Sequence, residues 1–211
     1  AGGSYGDMLK EVGALGAFII VWLIAVELAR SAAGSASPVQ HGTIVAAIAA
    51  AGMFAITRSL GRPLFLLMLL LMVPLATTEL GVDSWVSALM TPILGATGLY
   101  VLLYTSLLMM ILRFCSGAII HRLSPLGVLA ACSAVAAAGL VALAHATSGM
   151  TIFFAATLYA VGKTFFWPTM LGVVAEQCPK GGALTLNATG GVGMLGVGVI
   201  GAMLLGNMQD K

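Results

Sequence analysis

Charge is what this sequence has least of. Only 8% of its 211 residues are Asp, Glu, Lys or Arg, where a soluble domain carries about 25% because its surface must face water. Hydrophobic residues make up 60% of the chain, and the mean hydropathy is +1.09. Too little charge to cover a water-facing surface means that most of the outside meets lipid. There every backbone polar group must be satisfied internally, so only helices or a closed barrel can cross. Barrel strands alternate apolar and polar residues. Stretches such as Pro63–Ala76 and Leu126–Ala144 are apolar on every face instead, so the expected class is an all-α integral membrane protein, a polytopic bundle of transmembrane helices.

Other shortages narrow the function. The three cysteines, Cys115, Cys132 and Cys178, are far apart and set among apolar residues, which predicts buried free thiols rather than a metal site or disulfide framework. The net charge is +2 with no basic run, so nucleic acid is not an expected partner. There is no H-E-x-x-H, nucleophile elbow or paired Cys/His ligand set, and His41, His121 and His145 are scattered near connections. No catalytic residues, metal ligands or cofactors are therefore expected. The glycine-rich stretch Ala188–Gly201 lies inside an apolar segment rather than between a strand and a helix, which argues for close helix packing and against phosphate binding. The chain opens on Ala1 and stops at Lys211 just after a hydrophobic segment, and is expected to be a piece of a longer protein.

What is present is a series of apolar segments. Crossing about 30 Å of hydrocarbon takes about 20 residues at 1.5 Å each, and this ruler finds about seven candidate spans: Val12–Ala29, Gly42–Thr57, Pro63–Val86, Pro92–Ile120, Leu126–Ala146, Thr151–Val174 and Ala183–Leu205. Connections are brief, and none suggests a soluble domain. Alternating the connections puts Lys10, Arg58, Arg62, Arg113, Arg122 and Lys180 on one side and Arg30 and Lys211 on the other. Basic residues favour the cytoplasmic side, so the N-terminal end is expected inside and Lys211 outside.

Ionisable groups deep in a span cost at least about 2.5 kcal/mol each on insertion scales and mark functional sites by default. Glu79 and Asp83 lie four residues apart, on one helical face. Two close carboxylates raise the pKa of one of them, which makes proton uptake feasible. The plainer reading is a hydrated Asp83 at the outer mouth and a structural Glu79. Tyr159, Lys163 and Trp167 repeat every four residues, placing an ammonium between two rings, and Pro168 marks a kink. An aromatic stripe at this spacing is more often packing, but the lysine points to a polar cavity. Measured along straight helices, Glu79 is about 24 Å from the inner end of its span and Lys163 about 18 Å from the outer end of its own. In helices of about 40 Å these depths are nearly level, so the two are expected to face one cavity and pair there. Glu27 and Glu176 read as interfacial.

The stretch Leu112–Leu129, LRFCSGAIIHRLSPLGVL, resembles the cytoplasmic connection between the eighth and ninth helices of major facilitator superfamily transporters. Thr77–Met90 and Tyr159–Gly196 are similar to the seventh, tenth and eleventh helices of bacterial members. The resemblance implies that residues 1–60 hold two spans from the end of the N-terminal half. Residues 61–211 would hold five spans of the C-terminal half, the twelfth helix being absent. It further implies a cytoplasmic latch at Arg113, Gly117 and Arg122, although the loop His121–Pro125 lacks the acidic-plus-arginine cluster of the full family motif.

The expected function is secondary active transport by alternating access in a bacterial inner membrane. Substrate and coupling residues would be Glu79, Asp83, Lys163, Trp167, Tyr159, Trp85 and Asn187, with protons as a candidate coupling ion. Thr77, Thr78 and Ser84 add hydrogen-bonding groups, and a small polar solute of the sugar or nucleoside type would suit the set. A non-transporting membrane scaffold or receptor-like protein, and a membrane-embedded enzyme, are the rivals.

Overall fold

The structure is a computed structural model that describes residues 4–31, 34, 36–83, 86, 90–91, 95, 98–116 and 124–209. The regular structure among them is helical: α1 (Tyr5–Ser31), α2 (Pro38–Thr57), α3 (Pro63–Ala76), a π-helical segment (Thr77–Gly81), α4 (Gly98–Phe114), α5 (Pro125–Ala144), α6 (Gly149–Lys163), α7 (Phe166–Gln177), α8 (Gly182–Gly196), a second π-helical segment (Val197–Gly201) and α9 (Ala202–Gln209).

Six stretches of the described residues are long and apolar enough to cross a membrane: Tyr5–Ser31, Pro38–Thr57, Pro63–Gly81, Pro125–Ala144, Gly149–Gln177 and Gly182–Leu204. Of the expected fourth span, Pro92–Ile120, the described residues hold the shorter apolar helix Leu99–Phe114, while residues 92–94, 96–97 and 117–120 lie outside them. Outward faces carry large apolar side chains, with Ile56 78% and Leu70 60% exposed. Such a surface suits lipid, since water would penalise it.

Local chemistry sets several helix starts. Proline, which has no N–H to leave unsatisfied, opens α2, α3 and α5. The Ser124 hydroxyl accepts from the Gly127 N–H, and Ser148 and Thr151 form a reciprocal capping box at α6.

The chain divides into two compact units, residues 1–77 with 171–211, and residues 78–170; the boundaries fall inside the first π-helical segment and α7. In the first unit α1 packs along α2, and α8 packs against α3 and α1. Trp22 Nε1 donates to Thr43 Oγ1 at 3.1 Å across the α1–α2 seam. The glycine-rich stretch expected to pack closely does so only in part. A Cβ built on Gly196 at the end of α8 would lie 2.9 Å from Val73 Cγ2, and one on Gly201 in the second π-helical segment 2.7 Å from Thr77 Oγ1, whereas one on Gly190, Gly191 or Gly198 would meet nothing within 4 Å among the described residues.

The same unit holds a break that hydropathy alone does not reveal. Gly13 has φ 60° and ψ −171° within α1, so the amides of Ala14 and Leu15 turn away from Lys10 and Glu11. They donate instead to the carbonyls of Ser59 (3.0 Å) and Leu60 (3.1 Å). The two abandoned carbonyls find donors in the same loop: Ser59 Oγ reaches Lys10 O at 2.8 Å, and the Arg62 N–H reaches Glu11 O at 2.9 Å. All four polar groups are thereby satisfied. The approach is so close that a Cβ on Gly13 would lie 2.0 Å from Gly61 N.

In the second unit α5 packs along α6, and α4 packs against α6. Gly139 faces Tyr159 and Gly162 faces Ala136, where an added Cβ would come within 2.4 and 2.2 Å of backbone nitrogen. Between α4 and α6, Tyr104 Oη and Thr157 Oγ1 are hydrogen-bonded at 2.7 Å, and Tyr104 meets Phe153 edge to face.

Of the three free cysteines, Cys178 is buried and Cys132 half-buried, but Cys115 is exposed, against the expectation of three buried thiols. Apolar sequence neighbours predict an apolar setting, and at a lipid-facing position that setting does not require burial by protein.

Candidate functional site

The second unit collects four charged side chains around α6. Glu79 comes from the π-helical segment that follows Pro74 in α3. An extra residue in a turn re-aims side chains, and such segments recur at functional sites. Asp83 lies four residues further on, Arg113 comes from the last turn of α4, and Lys163 ends α6.

Glu79 is 3% exposed and Lys163 is fully buried. Charges in such places persist only when paired and hydrogen-bonded. Both are: Arg113 Nη2 meets Glu79 Oε1 at 2.6 Å, and Lys163 Nζ is bonded to Asp83 Oδ1. Lys163 Nζ also lies 4.9 Å from the Tyr159 ring centroid, within cation–π range, while the Tyr159 hydroxyl donates to the Thr78 carbonyl. The Trp167 backbone N–H adds to the positive field at Glu79, whose Oε2 is buried and makes no hydrogen bond of ordinary length.

Arg113 has a second task that follows from Pro168. Proline at position 168 has no N–H to offer the carbonyl four residues back, that of Thr164. The helix expected over Thr151–Val174 accordingly breaks at Thr164 and Phe165, between α6 and α7. The carbonyl left over accepts from Arg113 Nε at 3.0 Å. One guanidinium thus neutralises a buried acid and completes a broken helix.

A cavity of about 460 Å³ opens beside this cluster, lined by Asp83, Ser106, Met109, Met110, Arg113 and Phe114. The Asp83 side chain is 21% exposed, against 4% for Glu79 and none for Lys163. Asp83 is therefore the more accessible of the two carboxylates. The four groups sum to zero charge, so protonation of either acid leaves one cation unbalanced.

The structure brings Glu79, Asp83, Tyr159 and Lys163 together, with Trp167 half-buried at the start of α7. It corrects the pairing. Glu79 and Lys163 are each matched to another partner: Arg113 reaches Glu79 from α4, and Asp83 meets the Lys163 ammonium. Arg113, expected in a latch, has its guanidinium engaged at the cluster; Gly117 and Arg122, like Trp85, fall outside the described residues. Asn187 is exposed in α8, in the other unit. No group of three or more metal-ligating side chains occurs among the described residues. Sequence reasoning missed the carbonyl of Thr164 and its donor, although Pro168 signals that residue 164 needs one.

Comparison of the chain with protein-family models, with curated proteins and with solved structures finds no match.

Proposed function

We propose that this helical membrane protein is a secondary active transporter, with the Glu79–Arg113 and Asp83–Lys163 pairs as its coupling centre. The observation that carries the reading is that two coupled ion pairs, three of whose four members are held in the low-dielectric interior or against it, border a cavity of about 460 Å³. A protein that only needed stability would do as well with apolar side chains there, since a buried pair rarely beats a hydrophobic replacement. A transporter needs charges that change partners. Protons arriving at the carboxylates would release a cation, and alternating access would follow from rocking of helix groups about the site. The resemblance to major facilitator transporters, the bacterial inner membrane and a cytoplasmic N-terminal end belong to the same proposal, and a small polar solute of the sugar or nucleoside type is its substrate class. The basic residues of the connections support the orientation.

Uptake into proteoliposomes made with the intact protein tests it. Candidate solutes should accumulate under an imposed pH gradient, and Glu79→Gln and Lys163→Gln should abolish accumulation while the protein still inserts and folds. Unchanged cellular function in both variants would instead identify a scaffold.

A further inference from the structure

A second cavity, of about 380 Å³, lies in the first unit. Its lining is Asp7, Lys10, Glu11, Ser59, Gly61, Arg62 and Lys180. Three cations thus converge from three separate segments: α1, the α2–α3 connection and the turn before α8. The backbone stitch at Gly13 is what holds the α2–α3 connection against α1 and so builds two of its walls.

The charges in this pocket are not all matched. Asp7 is held by the Ser4 hydroxyl at 2.9 Å, and Glu11 Oε1 is paired with Arg62 Nη1 at 3.4 Å. Lys10 and Lys180 are exposed and share the field of the Asp7 carboxylate, but neither is in ion-pair contact with an acid among the described residues, so the lining carries one positive charge in excess. Glu11 is 9% exposed, and its Oε2 is buried without a hydrogen-bond partner. The pocket therefore offers two ammonium groups and a guanidinium to an anion, together with one carboxylate oxygen that needs a donor. Its position fits a bilayer surface: Arg62 directly precedes Pro63, where α3 begins, and Lys180 stands two residues before Gly182, where α8 begins. Ends of apolar helices meet the lipid phosphates, and basic pockets between such helices hold headgroups.

We propose that this pocket binds a membrane lipid through its headgroup, a singly charged phosphodiester bearing a hydroxyl donor, with the phosphate between Lys10, Lys180 and Arg62 and the donor on Glu11. A dianionic phosphate suits it less, because Asp7 and Glu11 share the pocket.

The test is thermal unfolding of the intact protein in a neutral detergent, titrated with short-chain phosphatidylglycerol, with phosphatidylcholine, whose headgroup has no donor, or with glycerophosphoglycerol, the same phosphodiester headgroup without acyl chains. Phosphatidylglycerol should raise Tm by about 4 °C over phosphatidylcholine, as a bound ligand does. The double variant Lys10→Gln/Lys180→Gln should lose most of that rise, and Arg58→Gln, which removes a charge outside the pocket, should keep it. A full rise in the double variant, or an equal loss in Arg58→Gln, would overturn the site. The same rise from glycerophosphoglycerol would overturn the lipid as its occupant. Should the double variant not fold, Lys180→Gln alone, in an exposed turn, should lose about half the rise; an unchanged rise in it would also overturn the proposal.

Discussion

Each of the two compact units contains a broken helix, and they mend it by different means. At Gly13 four displaced backbone groups are answered by a neighbouring loop, three of the four bonds running backbone to backbone. At Pro168 one orphaned carbonyl is answered by a charged side chain that also holds a buried acid. The first repair has no moving part: Gly13 and Gly61 touch, and no rotamer change can open the seam. The second depends on a long, half-exposed arginine whose partner can be neutralised by a proton. A fixed joint and an exchangeable one within a single chain is the arrangement expected of a protein that moves in one place and must not move in another.

Substitutions that strike the two joints separate them. The largest effect is expected from Gly13→Val, which forces a β-branched residue to a positive φ and drives its Cβ into Gly61. Strain and overpacking of this kind together cost about 3 kcal/mol or more, so the yield of folded protein measured by size-exclusion chromatography should collapse. Arg113→Leu comes close behind. It strands Glu79 and the Thr164 carbonyl at once. A fully buried pair would cost about 3–5 kcal/mol to break, and with the Arg113 side chain 41% exposed the expected loss is about 2 kcal/mol; adding Glu79→Gln should recover a large part of the lost Tm. Exchanging Asp83 and Lys163 should restore more uptake in proteoliposomes than either single reversal, and no restoration would show that the pair acts through more than mutual neutralisation.

Smaller effects sharpen the contrast. Ser59→Ala removes the donor to Lys10 O and should cost about 1 kcal/mol in denaturant unfolding, with no change in any transport measurement. Pro168→Ala supplies the N–H that Thr164 O lacks, so the arginine becomes redundant as a helix donor. In a double-mutant cycle with Arg113→Lys, the coupling should be about 1 kcal/mol in the sense that alanine at 168 softens the loss. Additive effects would mean that the Arg113–Thr164 bond contributes nothing.

The charges that matter are legible in the amino-acid order, because Glu79, Asp83 and Lys163 are costly in an apolar segment wherever they point. Their pairing is not. A four-residue spacing says that Glu79 and Asp83 share a face; it does not say which helix lies opposite, and Arg113, near a span end, resembles an ordinary interfacial arginine. Glu11 is inconspicuous for the same reason, since a carboxylate beside a helix end raises no alarm until its Oε2 is found buried.

Composition and hydropathy by themselves determined that the described residues form apolar helices, six stretches of them long enough to cross a membrane, because length and transfer energy are local properties of a segment. Small side chains, also a property of the sequence, permitted the close approach at Gly196, but did not say which glycines would make one: Gly190 and Gly191 of the same helix meet nothing within 4 Å among the described residues. Only the tertiary structure decided that α1 breaks at Gly13, that Thr164 borrows a donor from Arg113, and that Lys163 is matched to Asp83. Each of these depends on how a helix is rotated about its axis and on what stands a few ångströms away across a gap, and no periodicity along one segment contains that distance.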